Sequence, residues 1–175
     1  MDIPSTIHIA AQGYERNSQP STPKRRDEIG DVCYALMGRY SSHEAFNFEA
    51  AFKQFGVECI EHEGIIIPLS AYTPEKRLII THPYGSEELQ RRILMHQFGH
   101  FVLGEPYQHS EADLRTFTEK MMGHLSMTRR MEWGIEYGAH LAIQHREELT
   151  AFRRNRREYD KQLVTTILDG NKHNP

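Results

Sequence analysis

The order of apolar and polar positions divides the chain into a helical front, a short β element and a helical remainder. Ile29, Val32, Leu36 and Met37 recur at helical spacing, which predicts an amphipathic helix over residues 27–40. Phe46, Phe48, Ala51, Phe52 and Phe55 predict a second helix over 44–55, stopped by Gly56. The period then changes. Val57, Cys59, Ile60 and the run Ile65-Ile66-Ile67 predict one or two short strands over 57–69, broken at Gly64. Thr73-Pro74-Glu75-Lys76 has turn chemistry, and Arg77-Leu78-Ile79-Ile80-Thr81 reads as the partner strand of a hairpin that Pro83 and Gly85 close.

Helical signals resume at Ser86, an N-cap followed by Glu87 and Glu88, whose charges suit the positive end of a helix dipole. That helix runs to about residue 103, where Gly104 and Pro106 stop it. Ser110 with Asp113 three residues on predicts a capping box and a further helix to about 124. A last helical stretch covers 128–168, with a break near Ala151. Residues 1–24, rich in Ser, Pro, Gln, Asn and Thr, read as a flexible lead-in. Residues 25–168 form one domain and 169–175 a tail. The fold class is α+β: a single compact domain, mostly helical, with a small antiparallel sheet or hairpin ahead of the helix that follows Ser86.

Composition narrows the classes. With 175 residues the chain has room for one core but hardly two. No run approaches the roughly 18 apolar residues of a membrane span, and residues 1–10 lack the features of a signal peptide. Cys33 and Cys59 match no metal or redox spacing, and Cys59 reads as a buried small hydrophobe. A cytoplasmic protein is the expectation. A net charge of −3 argues against direct nucleic-acid binding, and the arginines at 153, 154, 156 and 157 are largely offset by neighbouring acids. Eleven histidines in 175 residues are the one departure from ordinary usage.

Their positions give that count its meaning. His96-Gln97-Phe98-Gly99-His100 sets two histidines at i and i+4 on one helical face, close enough to share a metal ion. The surrounding helix is apolar nearly all round, so unpaired imidazoles there would be costly, and a metal would satisfy both. The segment is one residue from H-E-x-x-H, whose glutamate serves as general base; Gln97 holds that place. An amide matches a carboxylate in shape but takes no proton, so metal binding should survive and hydrolysis should not. A third ligand is expected from another helix, and residues 131–140 offer Glu132 and Glu136 in a mostly apolar stripe. His8, His43, His62, His109 and His173 have no constellation around them.

Across residues 48–143 the chain resembles the ImmA/IrrE-type zinc metallopeptidases. The resemblance is carried by Gly56-Val57-Glu58-Cys59, by the hairpin of residues 64–81, by Arg91 to Gly104 around the two histidines, and by Glu136-Tyr137-Gly138-Ala139-His140. It implies a zincin-like fold and one Zn²⁺ held by His96, His100 and Glu136, with Glu132 as the alternative third ligand or a group behind the ligands. It also implies an endopeptidase that cleaves a specific partner protein, a helix-turn-helix repressor encoded nearby. Tyr137 or His140 would stabilise the transition state, and the strand of residues 77–81 could receive an extended substrate by strand addition.

The chain departs from the family pattern at Gln97, in a longer gap between His100 and Glu136, and in His140 where Asn or Asp is usual. Gln97 has two explanations. It is an introduced Glu→Gln change that silences an otherwise self-consistent peptidase, which the intact surroundings favour, or the native residue of a zinc-binding pseudopeptidase that binds or sequesters a repressor.

Overall fold

The structure is a computed structural model that describes residues 8–9, 21–42, 45–63, 65, 68–83, 85–104, 109–123 and 156–171. In chain order these form β1 (His8–Ile9), α1 (Pro23–Tyr40), α2 (Phe48–Phe55), β2 (Val57–Glu61), β3 (Leu69–Tyr72), β4 (Arg77–Thr81), α3 (Glu87–Val102), α4 (Glu111–Met122) and α5 (Arg156–Asn171). The mixed, mostly helical α+β class is as expected.

Local chemistry accounts for the helix boundaries. α1 starts earlier than the apolar pattern suggests, because the Thr22 hydroxyl accepts the Arg25 N–H and Pro23 is tolerated in the first turn. Strand β1 falls within the expected lead-in, paired with β3. The Asn47 side chain accepts from Ala50 N–H at the start of α2, and Gly56 ends it with φ 64°. Ser86 caps α3 as expected, and Ser110 with Asp113 closes a complete capping box on α4.

The sheet has the order β1-β3-β4-β2. β3 and β4 make the expected antiparallel hairpin, with Ala71 opposite Leu78. The expectation of a purely antiparallel sheet needs correcting at β2, which runs parallel to β4 with Val57 opposite Arg77 and Glu61 opposite Thr81. After β2 the chain passes beyond the place β4 will take, forms β3, and turns back so that β4 fills the gap in the direction of β2. This order also corrects strand addition at residues 77–81. β4 is hydrogen-bonded on both sides and has no edge to offer.

Alternation along β4 divides the apolar residues between two cores. Ile79 joins a cluster with Cys33, Phe52, Met95, Phe98, Leu114 and Phe117 from α1 to α4. Leu78 and Ile80 face the other way, with Leu69, Ala71, Val164 and Ile167. The sheet therefore lies between α5 and the remaining helices. Burying each Leu or Ile fully contributes about 1.5–3 kcal/mol, so both faces help to hold the sheet in place. None of the described helices is long and apolar enough to cross a membrane.

Candidate metal centre

α3 is the central helix. Leu89, Ile93, Met95, Gln97, Phe98, Gly99, His100 and Phe101 are all buried along it. Phe98 lies on the side opposite the histidines, and its ring meets Phe52 and Phe55 at centroid distances of 5.4 and 5.0 Å. This aromatic contact seats α3 on α2 and fixes the rotation of the helix. That rotation puts His96 and His100 side by side, with ring centroids 5.4 Å apart and planes at 82°.

His100 is 1% exposed, and its Nε2 is a buried nitrogen with no hydrogen-bond partner among the described residues. Burial, assisted by His96 and then His109, lowers its pKa well below 6.5 and keeps the ring neutral. A neutral imidazole with a free nitrogen is the form a metal ligand must take, so His100 fits that role, with half-buried His96 beside it. Among the described residues, no group of three or more His, Cys, Asp and Glu side chains is arranged to hold a metal ion. Glu132 and Glu136, the expected third ligands, lie outside the described residues, as do Tyr137 and His140.

Gln97 is bonded through both ends of its amide. Oε1 accepts the Ser70 hydroxyl at 2.9 Å, and Nε2 donates to the Pro68 carbonyl at 3.2 Å. Ser70 lies 2.8 Å from the Gln97 backbone carbonyl as well, so one buried hydroxyl ties β3 to α3 at this residue. The donor end suits an amide or a protonated carboxyl group, not an ionised one. A carboxylate in the same pose would set an oxygen against the Pro68 carbonyl oxygen.

The structure brings in a histidine that the spacing left alone. The His109 Nε2 is 2.9 Å from the His100 Nδ1, and the two rings are 5.1 Å apart. Gly104, at φ 119°, lets the chain turn out of α3, and His109 immediately precedes the Ser110 cap of α4. A connection this short returns the start of α4 to the end of α3. The stop signals at Gly104 and Pro106 and the cap at Ser110 were the clue available in the sequence. Ser70, a lone hydroxyl residue between Leu69 and Ala71, was another such clue.

Asp113 anchors the turn that carries His109. Its carboxylate accepts from the Ser21 hydroxyl, from Ser110 N–H at 3.3 Å and from Arg25 Nε at 3.3 Å. Burial works against the charge, but these three donors outweigh it and hold the Asp113 pKa below the ordinary value. Arg25 also reaches the Leu103 carbonyl at 3.5 Å, which ties α1 to the end of α3. Of the two cysteines, Cys33 is the buried one and its thiol is pushed up to about 11 by burial. Cys59 is exposed, against expectation: it shares a face of β2 with buried Val57, but β2 is an edge strand, and its thiol too is pushed up to about 11. Compared with family models, curated proteins and solved structures, the chain matches none of them.

Proposed function

We propose that this chain is a zinc-binding protein of the ImmA/IrrE type that, with glutamine at position 97, binds a partner protein without cutting it. The observation that carries this reading is the amide of Gln97, engaged by Ser70 at one end and Pro68 at the other beside the two histidines. Those bonds satisfy the amide at both ends and leave position 97 no means of accepting a proton. His96 and His100 would hold the zinc, with Glu136 or Glu132 as the third ligand. Bound there, zinc would supply a Lewis acid able to anchor a carboxylate, imidazole or carbonyl of the partner.

The partner class follows from the resemblance: a helix-turn-helix repressor encoded nearby, sequestered by this protein in the cytoplasm. That both cysteines are free thiols agrees with such a compartment. A catalytic ancestor, and an introduced Glu→Gln change, is the second reading. It draws on His96 and His100, which keep the alignment a peptidase would need.

Elemental analysis of the purified protein tests the zinc. Stoichiometric zinc that is lost in His96→Ala and His100→Ala supports the reading, and none after metal-rich preparation refutes it. Incubating the zinc-loaded protein and its Gln97→Glu variant with the neighbouring repressor then separates binding from cleavage. Metal-dependent cutting by the variant alone would favour the peptidase.

A further inference from the structure

We infer that His109 is a positioning residue for the metal ligand His100: its Nε2 accepts the Nδ1–H of His100, which leaves the His100 Nε2 lone pair open to a metal. The inference rests on the zinc-binding reading and adds the group that sets the ligand's tautomer.

Two neutral imidazoles whose nitrogens lie 2.9 Å apart share one proton between them, so only two arrangements exist. If His109 donated, the His100 proton would move to Nε2, a buried atom with no acceptor among the described residues. His100 would then present an N–H to the space its neighbour His96 shares, and could not ligate. If His100 donates, its Nε2 carries a lone pair and the proton of His109 resides on Nδ1, a buried atom that likewise has no acceptor among the described residues. Burial lowers the His109 pKa, with the Asp113 carboxylate opposing it only in part, so this ring is neutral as well. Each arrangement leaves one buried N–H without an acceptor among the described residues, so metal chemistry selects the second: only there can the His100 Nε2 act as a ligand.

The surroundings are built to hold this pair. His109 precedes the Ser110–Asp113 capping box, and Arg25 clamps Asp113 and the Leu103 carbonyl from α1. Arg25 of α1 thus ties together Leu103 at the end of α3 and Asp113 of α4, which lie on either side of His109 in the sequence. A metal-bound imidazole commonly donates its other N–H to a fixed acceptor, which sets ring orientation and raises ligand basicity. Here the acceptor is another imidazole, supplied by the next helix's lead-in.

The test combines imidazole ¹⁵N spectra of the metal-free full-length protein with zinc titrations against a chromophoric chelator. The metal-free wild type should show His100 as the Nδ1–H tautomer. His109→Phe should lose that signature and bind zinc about 10–100-fold more weakly. His109→Gln, whose Oε1 can accept the same proton, should recover most of the affinity. A His100 Nε2–H tautomer in the wild type, or unchanged zinc affinity in His109→Phe, would overturn the inference. So would a change in the visible spectrum of the Co²⁺-loaded protein, shared by His109→Phe and His109→Gln, that reports a lost ligand. Failure of the wild type to bind zinc refutes the zinc reading itself, and the metal-free tautomer would still report on the pairing.

Discussion

Gly99, between the two histidines, is the position where packing of the site can be tested most sharply. A Cβ there would come within 2.7 Å of Leu114 Cδ1, 2.7 Å of Phe117 Cδ1 and 3.0 Å of Phe117 Cε1. Carbon atoms pack best at about 3.5–4.0 Å, so Gly99→Ala demands a shift approaching 1 Å from α4. Leu114 is 2% exposed and Phe117 fully buried, and neither has room to withdraw. Overpacking of this kind costs about 1–3 kcal/mol, against a gain of about 1 kcal/mol from alanine's better helix propensity. A net loss of about 0–2 kcal/mol is expected, in place of the gain that helix propensity alone would give. Gly38→Ala supplies the control, since nothing lies within 4 Å of a Cβ there and α1 should gain about 0.5–1 kcal/mol. Urea unfolding followed by circular dichroism should show the Gly38→Ala midpoint raised and the Gly99→Ala midpoint level or lowered, at constant slope. A Gly99→Ala variant more stable than the wild type by about 1 kcal/mol, the gain of helix propensity alone, would refute the close approach of α3 and α4. Because that approach brings His109 to His100, the same result would weaken the pairing of the two rings.

Three further expectations bear on separate parts of the molecule. Gln97→Glu should destabilise the fold by about 1–3 kcal/mol at neutral pH, through a buried carboxylate opposed to the Pro68 carbonyl. Burial raises such a group's folded pKa above its unfolded value, so the loss should shrink as pH falls; equal unfolding midpoints for variant and wild type at neutral pH would contradict this. Asp113 has the opposite sign. Its folded pKa lies below the ordinary 3.8, so its stabilisation is complete above that value and disappears as pH falls through the folded pKa. Asp113→Asn should therefore flatten the acid limb of a stability-versus-pH curve, and an unchanged limb would count against the Ser21–Arg25–Asp113 network. Finally, alkylation of the native protein followed by peptide mapping should label Cys59 before Cys33 on access alone, since Cys59 is exposed and Cys33 buried while both thiols are pushed up to about 11. Equal labelling rates would mean that α1 does not pack as described.

What the sequence determined by itself was local. Ser86 and Ser110 reach backbone groups three residues away, so those helix starts were legible in a few neighbours, whereas Thr22 and Asn47 cap helices whose starts the apolar pattern set at 27 and 44. The short apolar run in residues 77–81, following the turn chemistry of residues 73–76, marked a strand, and the four-residue interval between His96 and His100 put both on one helical face. Tertiary structure decided which of these elements meet. It set β4 between β3 and β2, brought Ser70 and Pro68 to Gln97 across 27 and 29 residues, and set His109 against His100. Capping and periodicity are energies of adjacent residues. The partners of an amide or an imidazole instead depend on which buried faces pack together, and a Ser70 or His109 carries no mark of its partner until α3 has been enclosed by β3 on one side and α4 on another.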